Sequence, residues 1–305
     1  MARRTVAAIV TLIAVALSDV AAHATLPGKN GLLAFTRYNR GESDPYAGIE
    51  RWDLYVATAT GKRLRRVFSG AISAAWSPDG RSLAIAQDCS NKYIPCGDLW
   101  TLDLATRARR RITDTQVSEE FSPAWSPNGR RIAFVRAGRD TNPAIWTSNV
   151  DGSDLRPVRS GLAYDLSWSP DGTRLAFATP VGQHVDQDIH VIRVDGGGEK
   201  ALTSGAAIDA GPDWSPDGAT IAFTRKVGGR TNVYAMTPDG SGVHALTRRG
   251  GRAPSWSPDG RRIAFVRGGD IYTMRPDGTH VRNVTRTRRL TENAPAWQPL
   301  RSVRS

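Results

Sequence analysis

The chain has 305 residues, of which 23% are charged and 40% hydrophobic, and its formal net charge is +12. That balance suits a globular fold and excludes a disordered or collagen-like chain. The basic surplus favours acidic partners, while the lack of an aromatic–basic stacking motif argues against nucleic acid.

The first 24 residues stand apart. Arg3 and Arg4 open the chain, Thr5 to Leu17 is apolar without charge, and Ala22-His23-Ala24 offers the small-x-small pattern of a cleavage site. This predicts a secretory signal over residues 1–24 and a single domain over 25–305, with a short basic tail at 300–305. The apolar run is too short for a membrane span, so none is expected after cleavage. Without the signal, 39 basic and 28 acidic side chains leave +11. The expected location is secreted or periplasmic, associated with the cell envelope.

Strand signals begin at Leu32-Leu33-Ala34-Phe35 and continue with Asp53-Leu54-Tyr55 and Leu64 to Phe68. Then Trp76 opens the string Trp-Ser-Pro-Asp-Gly. Trp125, Trp168, Trp214 and Trp256 open the same string or its Asn variant, and Trp297 opens a shortened copy, Trp-Gln-Pro. Successive tryptophans are 49, 43, 46, 42 and 41 residues apart. Such a period marks an array of similar supersecondary units. Each unit reads as four short strands, as in Ala253–Trp256, Arg262–Arg267, Asp270–Met274 and Val281–Thr285. Ser-Pro-Asp-Gly is a tight turn: Pro fixes φ, Asp bonds to local backbone and Gly accepts positive φ.

Cys89 and Cys96 flank a polar stretch between two strand signals of the second unit. A disulfide pinning that loop is the expectation in an oxidising compartment, with two free thiols as the alternative.

The ends of the repeat are informative. The strands before Trp76 lack a first strand, and Ala294–Trp297 is a first strand with nothing after it. The two fragments complete one another. The expected fold is therefore all-β: a six-bladed β-propeller of four-stranded antiparallel blades, closed by the C-terminal strand. The tryptophans are expected to pack between blades.

The pattern Trp-Ser-Pro-Asp-Gly-x-x-Ile-Ala-Phe, Asp-Ile-Tyr, Asp-Gly, Leu-Thr resembles the TolB-like β-propeller family over residues 31 to about 299. The resemblance covers the propeller only, without the α/β domain that precedes it in TolB. It implies an envelope protein that receives a lipoprotein or other protein partner at a channel mouth.

First strands line a propeller's channel, so the loops entering them crowd one mouth. Glu120, Asp209 and Glu292 stand five positions before their tryptophans, Asp165 three before, and Arg252 four before. These five are the candidate binding residues. They suit a cationic side chain, a basic peptide loop or a channel-bound divalent cation such as calcium; no other cofactor is expected. His184, Asp186 and Asp188 alternate along a loop of the fourth unit and resemble metal ligands, with a solvated loop as the plainer reading. No Gly-x-Ser-x-Gly, His-Glu-x-x-His or phosphate loop occurs, so no catalytic residue is assigned. The leading expectation is a non-enzymatic binding propeller that captures a protein or peptide. The alternative is a metal-dependent hydrolase or lactonase. Arginines crowd the fourth strands, notably Arg65, Arg66, Arg109, Arg110, Arg111 and Arg282, and suit an anionic cell-wall polymer.

Overall fold

The computed structural model describes residues 27–39, 51–87, 97–115, 118–138, 142–180, 186–287 and 290–300. The signal segment, Cys89, Cys96 and His184 lie outside them.

The described residues hold twenty-four strands and no helix. Blade one contains β1 (Lys29–Asn39), β2 (Arg51–Thr58) and β3 (Arg65–Ser69). Blade two contains β4 (Ala71–Trp76), β5 (Ser82–Gln87), β6 (Leu99–Asp103) and β7 (Arg109–Arg111). Blade three contains β8 (Ser118–Trp125), β9 (Arg131–Gly138), β10 (Ala144–Asn149) and β11 (Arg156–Ser160). Blade four contains β12 (Tyr164–Trp168), β13 (Arg174–Pro180), β14 (Gln187–Arg193) and β15 (Lys200–Ala201). Blade five contains β16 (Ile208–Trp214), β17 (Ile221–Val227), β18 (Arg230–Met236) and β19 (His244–Ala245). Blade six contains β20 (Arg252–Trp256), β21 (Ile263–Arg267), β22 (Asp270–Met274) and β23 (Arg282–Asn283).

The last strand, β24 (Thr291–Leu300), pairs antiparallel with β1 and supplies the missing inner strand of blade one. All four-stranded units are antiparallel meanders; blades four and five also share a single parallel bridge, Gln187 to Ile208. The six first strands touch one another in a closed cycle, from β4 through β8, β12, β16, β20 and β24 back to β4. Closure thus gives blade one the inner strand that its own first three strands lack.

Second strands are buried on both faces, which explains their unbroken apolar runs. Phe35, Phe134, Phe177, Phe223 and Phe265 are all fully buried, each following an equally buried alanine. Each such phenylalanine contributes roughly 2–3 kcal/mol of apolar burial. The small alanine lets adjacent sheets approach.

Trp76, Trp125, Trp168, Trp214 and Trp256 each close a first strand, Trp297 lies within β24, and all six fill the seam with the preceding blade. Three indole N–H groups cross that seam to a carbonyl: Trp76 to Ala296 at 3.1 Å, Trp168 to Ala124 at 3.0 Å and Trp297 to Ser255 at 3.2 Å. The Ser-Pro-Asp-Gly turns behave as their residues dictate. In blade two the Ser77 hydroxyl donates to Asp79 at 2.6 Å, and Asp79 also accepts the Arg81 N–H at 3.0 Å.

The Leu-Thr ending of a repeat has an equally local cause. The threonine hydroxyl accepts an N–H of the third strand, as Thr113 does from Leu99, Thr203 from Ile189 and Thr247 from Val233, each at 2.9 Å. Thr203 donates in turn to Asp188 at 3.0 Å. Asp and Thr, fifteen residues apart, therefore form one node that ties the third strand to the chain leaving the fourth.

Candidate functional site at the inner strands

Five of the six first strands are kinked at the same place. The residue three before the tryptophan has positive φ in Ser122, Asp165, Gly211, Ala253 and Ala294. The ladder with the second strand slips there in each case. A proline follows in four of them, at Pro123, Pro212, Pro254 and Pro295, where no N–H is available for the ladder. The bulge turns the backbone N–H sideways toward the neighbouring blade. Asp165 N–H reaches the Ser122 hydroxyl at 3.3 Å, and Gly211 N–H reaches Asp165 Oδ2 at 2.7 Å. Ala253 N–H reaches the Thr224 hydroxyl at 2.9 Å.

Asp165 is the outstanding member of this ring. It is 1% exposed, and its Oδ1 has no hydrogen-bond partner among the described residues. Burial pushes its carboxyl up to about 7, against the pull of the Gly211 N–H. A buried carboxylate oxygen without a donor is costly, and native structures usually supply one.

The acids five positions before their tryptophans have another setting. Glu120, Asp209 and Glu292 alternate round the ring in blades three, five and one, with Ala71, Ala163 and Gly251 at the intervening positions. Each is fully buried beside an arginine of its own second strand. Arg136 Nε lies 2.7 Å from Glu120, and Arg37 Nη2 lies 2.5 Å from Glu292. Arg225 grips Asp209 with two bonds of 2.7 and 2.6 Å. The three guanidinium groups also cover aromatic rings of the third strand, Trp146, Tyr55 and Tyr234. Burial pushes the Glu120 carboxyl up despite Arg136 and Thr113, and does the same to Glu292 despite Thr285 and Arg37. These acids are expected from the sequence as mouth carboxylates. In the structure each charge is answered inside its own blade.

Arg252 spans to the next blade, where its Nη1 donates to Asn293 Oδ1 at 2.7 Å. Burial pulls its guanidinium down to about 10. One inner carboxylate was not anticipated. Asp213, just before Trp214, is fully buried and accepts the Trp256 N–H at 2.6 Å and the Ser167 hydroxyl at 3.3 Å. Its position holds Ala or Ser in the other repeats, so that departure from the repeat was the available signal.

Asp188 is held by Thr203, and its carboxyl is raised by burial. No group of three or more His, Cys, Asp or Glu placed to hold a metal ion lies among the described residues. No helix among them is long and apolar enough to cross a membrane.

Comparison with curated proteins finds no match. Among solved structures, TolB from Acinetobacter baumannii is 24% identical with a TM-score of 0.73, covering 88% of this chain and 67% of that one. A structure from Agrobacterium tumefaciens assigned as TolB is 23% identical with a TM-score of 0.64, covering 83% of this chain and 89% of that one. A chain of a nidogen/laminin complex has a TM-score of 0.70 at 9% identity, covering 89% of this chain and all of that one. At such identities these likenesses speak for the fold alone. Residues 120–303 match the family described as TolB beta propeller domain, more than half of the sequence. With the repeat, the closed ring and this match in agreement, the chain belongs to the TolB beta propeller family.

Proposed function

We propose that this protein is an envelope-associated, non-enzymatic binding propeller that captures a protein or peptide at the face where the first strands begin. The observation that carries the reading is Asp165. Its buried Oδ1 sits in the innermost strand ring without a donor, whereas the other acids named for this site are paired. A cationic or N–H-bearing group entering from the face would satisfy it and gain a charge-assisted hydrogen bond.

The face is low at blades five and six. The hairpins joining second and third strands are tight in blades five and six, at Val227-Gly228-Gly229-Arg230 and Arg267-Gly268-Gly269-Asp270. Val227 is 56% exposed at the low side. Export and residence in the periplasm or outside the cell follow from the signal-like start and belong to the same proposal, as does an envelope lipoprotein as partner.

Capture from an envelope extract tests it. The partner should be lost with Asp165→Ala and with Arg252→Ala while the melting curve shows a folded propeller. Equal recovery by wild type and both variants would remove this face as the binding site. Elemental analysis of the same preparations addresses the metal-dependent hydrolase: a stoichiometric divalent ion that disappears with Asp165→Ala would favour it.

A further inference from the structure

The opposite face of the ring carries the turns. Antiparallel order puts the Ser-Pro-Asp-Gly turns and the outer Asp-Gly turns at the same end of every blade. Their composition is lopsided. The residue after the inner turn's glycine is Arg81 in blade two, Arg130 in blade three and Arg261 in blade six, but Thr173 and Ala219 in blades four and five. Blade one has exposed Lys29 there, placed by Gly28 N–H on the Pro258 carbonyl at 2.9 Å and by Asn30 Oδ1 on the Asp259 N–H at 3.1 Å. The outer turns of blades two to six each carry an aspartate, Asp103, Asp151, Asp195, Asp239 and Asp277, and what marks the sector is its cations without an ion pair among the described residues, Lys62 and Arg63 in blade one, Arg107 in blade two and Arg275 in blade six.

The basic sector is continuous across blades six, one and two. Gly61 of the blade one turn packs on the Val284 carbonyl of blade six. Gln298 Nε2 donates to the Gly80 carbonyl of blade two at 2.7 Å, and Arg107 Nη1 to the Val67 carbonyl of blade one at 3.3 Å. The acids of the sector face inward to their own turns. Asp79 accepts the Arg81 N–H, Asp259 the Arg261 N–H, Asp277 the Thr279 N–H, and Asp103 the Ala105 and Thr106 N–H groups. Lys29, Lys62, Arg63, Arg81, Arg261 and Arg275 form no ion pair among the described residues.

Apolar side chains stand among these cations. Of six exposed large aliphatics among the described residues, Leu64, Val281 and Leu300 belong to blades one and six. Leu64 follows Arg63, Val281 precedes Arg282, and Leu300 ends β24 beside the Gly80 turn.

We propose that this sector is a docking surface for an anionic phospholipid bilayer. Its cations meet headgroup phosphates, and Leu64, Val281 and Leu300 reach below them. Charge complementarity selects an anionic surface. The aliphatics set between the cations favour a bilayer over a soluble polyanion, since only a bilayer offers an apolar layer beneath the charge. Docking here leaves the first-strand face pointing away from the lipid, open to a second partner.

The test uses the chain from Thr25, which holds the whole propeller, with vesicles of phosphatidylcholine containing about one-third phosphatidylglycerol. The protein should co-sediment with these and not with pure phosphatidylcholine, and release should follow rising salt. Lys62→Glu, Arg81→Glu and Arg261→Glu together should weaken partition at least about tenfold at an unchanged melting temperature. Leu64→Ser, Val281→Ser and Leu300→Ser together should also lose vesicles while keeping any binding to polyphosphate. Absence of co-sedimentation, undiminished partition of the charge-reversed protein, or unchanged vesicle binding by the serine variant would each overturn the proposal. The last result, with polyphosphate as an equal competitor, would assign the sector to a soluble polyanion. Capture at the Asp165 face is read separately, because none of these substitutions touches it.

Discussion

Trp76 Nε1 donates to the Ala296 carbonyl at 3.1 Å, so the second blade is fastened to the last strand of the chain. The indole N–H of Trp125, one blade on, has no partner among the described residues. Phenylalanine at either position shrinks the ring and leaves a small cavity. Only Trp76→Phe also removes a hydrogen bond, at a further cost of about 0.5–1.5 kcal/mol. Urea melts should therefore rank Trp76→Phe below Trp125→Phe in stability; the reverse order would mean that the seam bond contributes nothing.

Glu292 and Arg37 are neighbours on paired strands and both are buried. Removing one partner leaves an uncompensated charge, so Glu292→Ala is expected to cost about 3–5 kcal/mol. Replacing both, as Arg37→Met with Glu292→Leu, should recover most of that loss. A double-mutant cycle by chemical denaturation checks it: additive losses would show that the two groups act independently.

The carboxyl of Asp165 titrates near 7 in the folded ring, against about 4 in an unfolded chain. The folded state thus holds this proton more tightly. Its contribution favours folding at pH below about 4 and is lost as pH rises toward 7, by up to about 4 kcal/mol. Asp165→Asn removes the titration. Relative to wild type, the variant should gain stability between pH 4 and 7 and stay ahead above it. Parallel stability–pH curves for the two proteins would contradict the assignment.

Gly61 has φ +76, and a Cβ there would stand 2.1 Å from the Val284 carbonyl oxygen. Gly70 has the same φ with nothing within 4 Å of such an atom. Gly70→Ala carries only the left-handed backbone cost of roughly 1–2 kcal/mol. Gly61→Ala must also push blade six away from blade one, so its melting temperature should fall clearly further. Equal shifts would show that the turn does not dock on the neighbouring blade.

Much of this architecture was legible because each unit repeats its chemistry. A tryptophan before Ser-Pro-Asp-Gly announces the end of an inner strand, and the orphan Ala294–Trp297 announced where the ring closes. The partners of the acids were harder to see. Arg136 and Arg225 each lie sixteen residues after their acid, but a regular ladder from the turn would set those acids opposite Ala137 and Lys226, and only the bulge brings the arginines into register. Arg37 meets Glu292 across nearly the whole sequence, and only closure pairs them. The bulge at Asp165 needed the backbone itself, since alternation along a strand assumes the regular ladder that the bulge interrupts. Asp213 departs from the Ala or Ser of the other repeats, but its bond to the Trp256 backbone N–H lies in the next blade and is set by the ring, not by local sequence.

Blade one joins β1 to β24, the first and the last of the propeller's strands to leave the ribosome. Every other blade can form from its own consecutive strands as they appear. The sheet begun by Lys29–Asn39 waits with a bare hydrogen-bonding edge until Thr291–Leu300 arrives. The ring therefore closes only once residues 291–300 have been made, and a nascent chain halted before residue 291 presents a template for intermolecular strand pairing.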